Sequence, residues 1–224
     1  MSNHEIEEKD EGIEIAKRMA EEEEGIGRKP RGWQKYVIPT VAVCWSFFQL
    51  SIASWLIMDS TFTRAIHLGF ALLIVYLNYP LFKKTHFGLR YFSAKNRIPI
   101  LDYVIGIIAA FAAIYIVIDY AGLITRYGAP ITRDIVIGFT LIVLLLEATR
   151  RVIGPALPAI ATAFIIYSFL GPYMPDLIAF KGASLNRLMG QMTMSTEGIY
   201  GIPLDVSATI VFLFVLFGSM LDKA

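Results

Sequence analysis

Side chains able to do chemistry are sparse in this sequence, and their spacing excludes more than it supports. Catalysis by covalent attack or by metal-bound water needs clustered nucleophiles, histidines or carboxylates. The three histidines, His4, His67 and His86, stand far apart, with no HExxH pairing to suggest zinc. A lone histidine in each region is weak evidence for any chemistry. The single cysteine, Cys44, lies inside an apolar run. It can form neither an intrachain disulfide nor a cysteine metal site, and reads as a packing residue. No Gly-x-x-x-x-Gly-Lys-Ser/Thr loop occurs, so the chain has no Walker site for ATP hydrolysis. Gly25-x-Gly27 sits among charges rather than between a strand and a helix, and reads as a flexible join.

The dense polar constellation is Glu147 with Arg150 and Arg151. On a helix these arginines follow the glutamate by three and four residues and share its face. With no nucleophile or metal ligand beside them, they are expected to form a local ion pair where a helix leaves the membrane. Asp102, Asp119, Asp205 and Glu197 fall at or near helix ends, where water can satisfy a carboxylate, and none is expected to lie deep. Asp102 precedes an apolar run and suits a helix amino-terminal cap. These observations point away from an enzyme.

The elements that would position these groups are hydrophobic helices. Of the 224 residues, 56% are apolar and only 17% charged, with a mean hydropathy of +0.58, outside the range of ordinary soluble domains. Six runs approach the roughly 20 residues needed to cross hydrocarbon. They cover about Tyr36–Ile57, Ala65–Phe82, Tyr103–Leu123, Ile135–Leu146, Val152–Leu170 and Val206–Leu221. Trp33 and Trp55 fit interfacial anchors for the first. Gly106, Ala110 and Ala113 form a small-residue stripe on the third, suited to close helix packing. Between the last two runs, Met174–Leu204 mixes Gly and Pro with Leu185, Leu188, Met189 and Met192 at helical spacing. That pattern predicts a short helix lying on the membrane surface. The expected fold is therefore an all-α polytopic membrane bundle of about six transmembrane helices.

The formal net charge of +1 hides a segregation, since ten of nineteen acids lie between Glu5 and Glu24. Residues 1–32 read as a polar, acidic, solvated cytoplasmic tail, and no cleaved signal is expected. With the amino terminus inside, Arg28, Lys29, Arg31, Lys35, Lys83, Lys84, Arg90, Lys95, Arg97, Arg150 and Arg151 fall on the cytoplasmic side. Arg64, Arg126, Arg133, Lys181 and Arg187 fall opposite. The bias follows the positive-inside rule and predicts six crossings with both termini cytoplasmic.

Three stretches carry a resemblance: RAIHLGFALLIVYLNYP from Arg64, ITRYGAPITRDIVIGFTLIVLLLEATRRVIGPALP from Ile124, and TEGIYGIPLDVSATIVFLFVLFGSML from Thr196. Together they resemble the opening third of the fused permeases of tripartite ATP-independent periplasmic (TRAP) transporters, in particular the TAXI-type branch. LEATRRVIG at Leu146–Gly154, followed by TEGIYGIPL, is its most specific part.

The resemblance implies a secondary transporter of a bacterial or archaeal cytoplasmic membrane. Such a permease imports organic acids or related solutes delivered by a periplasmic solute-binding protein and is driven by a sodium or proton gradient. It implies that residues 33–151 correspond to a four-helix small permease component and residues 152–224 to the start of the large one. Fused permeases of this family continue well past this point, so the substrate and coupling-ion sites are expected outside this chain. The expected partners are the lipid bilayer, the binding protein and the remaining large-component helices, with no nucleic acid. Arg64, Arg126, Arg133, Lys181 and Arg187, with Asp134, are expected to form an outer surface that docks the binding protein. A membrane-anchored adaptor without transport activity is the alternative reading.

Overall fold

The computed structural model describes residues 27–28, 30–81, 96–126, 128–175 and 179–222. The acidic stretch Glu5–Glu24 and Lys83, Lys84, Arg90 and Lys95 lie outside the described residues. Every regular element among the described residues is helical. A 3-10 turn, Gly32–Tyr36, leads into α1, Val37–Ser54. Then come α2, Ser60–Asn78, α3, Ile100–Ile118, the short α4, Tyr120–Thr125, and α5, Thr132–Val152. After α6, Ala156–Leu170, and α7, Leu185–Thr193, the last rod joins α8, Ile202–Val206, through a π-helical turn, Ser207–Val211, to α9, Phe212–Leu221.

The chain is an all-helical membrane bundle. Among the described residues, five helical segments are long and apolar enough to cross a bilayer: Gly32–Ser54, Ser60–Asn78, Ile100–Ile118, Ala156–Tyr173 and Ile202–Leu221. This differs from the six expected from apolar runs. α5 is the longest helix at 21 residues, but Arg133 and Asp134 at one end and Glu147, Arg150 and Arg151 at the other leave only a short apolar middle.

Packing nonetheless sets α5 beside the others, as its end contacts show. Its amino-terminal Asp134 meets Tyr115 near the end of α3, and its carboxyl-terminal Arg151 meets Asp102 at the start of α3. The two helices are therefore antiparallel neighbours, and at 1.5 Å per residue α5 extends about 30 Å. The other rods follow the same alternation. Gln34, before α1, bonds Ile98, just before α3, while Gln49, late in α1, meets His67, early in α2. Arg64, in the first turns of α2, holds Asp205 of α8. Five rods among the described residues thus run alternately between two ends, and α6 follows α5 after the turn at Gly154. The end where α2 stops and α3 starts is the clamp end, and the opposite one is the turn end. The described chain begins and finishes at the clamp end.

The helix starts and breaks have local causes. Asp59 accepts from the Thr61 N–H at 2.8 Å to cap α2, and Pro80 follows α2, as helix-breaking residues do. Gly154, with φ +111°, turns the chain between α5 and α6 in a conformation that side-chain-bearing residues avoid.

The small stripe on α3 is buried against α2, with Gly106, Ala109, Ala112 and Ala113 inside. A Cβ on Gly69 would come within 3.1 Å of Ile114, and one on Gly106 within 3.2 Å of Leu73. Glycine at both positions lets the two helices approach closely, as lipid-embedded packing favours. α7 packs part of its surface against the bundle. Leu188 and Met189 pack with Ile142 at the middle of α5 and with Ile165 of α6, while Thr193 lies against Gly138. That part of its apolar face is satisfied by helices.

Candidate functional site

At the clamp end, three arginines converge on the carboxyl end of α2. Arg28 donates from Nη1 to the Tyr76 and Leu77 carbonyls at 3.2 and 3.3 Å, and from Nη2 to Asp102. Arg151 donates from Nη1 to Asp102 at 2.9 Å and to the Tyr79 carbonyl at 3.2 Å, and lies 4.6 Å over the Tyr76 ring. Arg150 reaches the Leu81 carbonyl at 2.8 Å. The last carbonyls of a helix lack intrahelical donors and carry the negative end of its dipole, so this is where cations stabilise it. Glu147 accepts from both Nε and Nη2 of Arg150, at 2.7 and 2.8 Å, and from Arg151 Nε at 3.0 Å.

This arrangement corrects two expectations. Asp102 is not a water-satisfied cap, because its side chain is 3% exposed, between Arg28 at 0% and Arg151 at 1%. Arg28 is not part of a solvated tail, since it is buried across the end of α2. Arg151 in turn does more than pair locally, because it ties α5 to α3. Burial pulls the Arg28 guanidinium below its ordinary value, against the opposing hydrogen bond and charge of Asp102.

At the turn end, Asp119 accepts from Arg126 at 2.7 Å and from Arg133. Asp134, fully buried, accepts from the Tyr115 hydroxyl at 2.5 Å, from Arg126 Nε at 3.3 Å and from the Ile131 N–H at 3.2 Å. Arg64 holds Asp205 at 2.8 Å and the Tyr200 carbonyl at 2.8 Å, while the Tyr200 hydroxyl donates to the Ala113 carbonyl. Burial raises the Tyr200 phenol above its usual range. Beside this end a cavity of about 210 Å³ is lined by Thr61, Tyr120, Ser195, Thr196 and Glu197, among others.

Three of the expected docking arginines are therefore engaged within the bundle: Arg64, Arg126 and Arg133. Lys181 and Arg187 are exposed in and just after the segment leading to α7. Glu197 is also exposed and accepts from Gln191 at 2.6 Å.

The Arg126 hydrogen bond holds the Asp119 carboxyl below its usual range, and Asp119 in turn raises the Arg126 guanidinium. A depressed carboxylate contributes stability above its unfolded value and loses it as pH falls through the folded one. This contact therefore holds at neutral pH and releases only in acid. Arg126→Gln is expected to lower thermal stability at neutral pH and to flatten its decline as pH falls through and below the usual carboxylate range, because less is left to lose. Melting curves across that range check the sign.

A third polar cluster lies inside the bundle. Gln49 Nε2 is 2.5 Å from His67 Nδ1 and donates to the Ala208 carbonyl at 2.9 Å. Ser207 Oγ is 3.5 Å from His67 Nε2. Sequence reading passed over His67 as isolated, yet a shared depth was available as a signal. Gln49 stands five residues before the end of α1, and His67 seven residues after the start of α2.

These contacts define a polytopic helical membrane protein whose rods are tied by ion clusters at both ends. No family model matches the chain, and neither a curated protein nor a solved structure matches it.

Proposed function

We propose that this chain is the scaffold part of a permease in a binding-protein-dependent, ion-gradient-driven secondary transporter for organic acids or related solutes. It lies in a bacterial or archaeal cytoplasmic membrane, with six crossings and the clamp end cytoplasmic, as the Lys and Arg distribution favours. It performs no catalysis of its own.

The observation that carries this reading is where the two most specific resembling stretches sit. LEATRRVIG supplies Glu147, Arg150 and Arg151, which fasten α5 to α2 and α3. TEGIYGIPL supplies Tyr200, which fastens the segment before α8 to α2 and α3. Both stretches join helices to one another, which is what a fixed support for moving helices requires.

Docking of a binding protein is assigned to Lys181 and Arg187, since reversing Arg126 or Arg133 would break contacts to Asp119 and Asp134 instead. In a complete permease, Lys181→Glu with Arg187→Glu is expected to slow uptake at low binding-protein concentration, and the deficit is expected to shrink as salt screens the charges. Unaltered uptake at low salt, with normal membrane levels of the variant, would remove these residues from the docking surface.

A further inference from the structure

We infer that His67, Gln49 and the π-helical turn Ser207–Val211 form a proton-binding site within the membrane, where a proton added to His67 Nδ1 opens the Gln49 bridge to the last rod. Three helices bring the groups to one depth. Gln49 lies five residues from the end of α1, His67 seven from the start of α2, and Ala208 six from the start of α8. At 1.5 Å per residue, each is about 8–10 Å in from the turn end. An ionisable side chain at such depth in a hydrophobic bundle is costly and marks a functional site by default.

Hydrogen-bond logic assigns one protonation state. A carbonyl oxygen can only accept, so the Gln49 atom 2.9 Å from the Ala208 oxygen must be the amide nitrogen. The same nitrogen lies 2.5 Å from His67 Nδ1, which must therefore accept, and the ring carries its hydrogen on Nε2, toward Ser207. One amide group thereby spends its two hydrogens on two helices.

A proton taken from water onto Nδ1 converts the imidazole to imidazolium and sets two donors face to face. Rotating the Gln49 amide to offer Oε1 to Nδ1–H relieves that clash. The rotation also turns Oε1 toward the Ala208 oxygen, and the bond to the last rod is lost. The π turn makes this consequential, because Ala208 lies in the one widened turn of the last rod among the described residues and Gln49 ties that turn to α1.

Few other charges face the ring. α1 contributes none, and its titratable Cys44 is exposed. Arg64 on α2 and Asp205 on α8 hold each other. α3, packed on α2, carries its carboxylates at its ends, where Asp102 and Asp119 are held by arginines.

Trp45 gives a direct readout, its ring lying 4.9 Å from His67 and 5.0 Å from Phe212. Trp33 and Trp55 are exposed and replaceable by Phe. In phosphatidylcholine nanodiscs, the Trp33→Phe, Trp55→Phe chain is expected to lose Trp45 emission reversibly as pH falls, because imidazolium quenches indole. Backbone hydrogen exchange at Ser207–Val211 should rise in step. His67→Asn, which keeps an acceptor for Gln49, should abolish both changes. Gln49→Glu, which offers a carboxylate to the imidazolium, should move the midpoint up by about 1–3 pH units. Flat emission over the pH range in which the chain stays helical would overturn the inference. So would an unchanged quench in His67→Asn, or a quench without increased exchange at the π turn.

Discussion

Asp102→Asn is expected to destabilise the bundle more than any other single substitution, by about 3–5 kcal/mol, the cost of leaving buried charge uncompensated. The carboxylate serves two buried guanidiniums, Arg28 through Oδ2 and Arg151 through Oδ1. An asparagine can accept from one of them, but its amide then presents N–H groups to the other, which is buried. Its loss also raises the net charge of the clamp from +1 to +2, counting Arg28, Arg150 and Arg151 against Asp102 and Glu147. Removing a charge from the other side should therefore help. Asp102→Asn with Arg28→Gln is expected to recover part of the loss. Heating detergent-solubilised protein and following the monodisperse fraction measures both, and a single variant as stable as the parent would show the clamp to be dispensable.

The second large effect concerns activity. The 224-residue chain alone, in vesicles with an imposed sodium or proton gradient, is expected to accumulate no organic acid. A carboxylate solute within the bundle would be held by a free cation or an open helix amino terminus. Here Arg28, Arg64, Arg126, Arg150 and Arg151 each already hold a carboxylate of the chain. Secondary transporters also place interrupted helices at the substrate site. Among the described residues, the π turn interrupts the last rod, and its Ala208 carbonyl is taken by Gln49. Gradient-dependent uptake by the purified chain, absent without the gradient, would relocate the working site into these helices.

The helical membrane class was legible because long apolar runs have few alternatives in water or lipid. The buried face of α3 was legible in part, since Gly106 and Ala113 of the expected stripe are buried while Ala110 is only half-buried and Ala109 and Ala112 complete the face. What could not be read was pairing across long separations. Asp102 looked like a cap because it starts a helix, and nothing local shows that Arg28 and Arg151 close over it from 74 residues before and 49 after. Asp134 lies in the first turn of α5 and its burial depends on Tyr115 from another helix. α7 carries the periodicity of a surface helix, and that pattern is the same whether its apolar side meets headgroups or Ile142. α5 was legible as the fourth apolar run, Ile135–Leu146, but not at its full length of Thr132–Val152, because the charged turns that extend it at both ends are held by Asp102, Asp119 and each other.

In the proposed topology α5 crosses the membrane with the clamp end inside, and residues flanking it report this. In a Cys44→Ser background, cysteines are placed singly at Ala129 and Ala156, both exposed, on either side of α5. A membrane-impermeant maleimide applied to intact cells is expected to label the Ala129→Cys chain, and to label the Ala156→Cys chain only after the membrane is opened. Labelling of both from the same side would contradict a crossing α5, and labelling of Ala156→Cys alone from outside would invert the bundle.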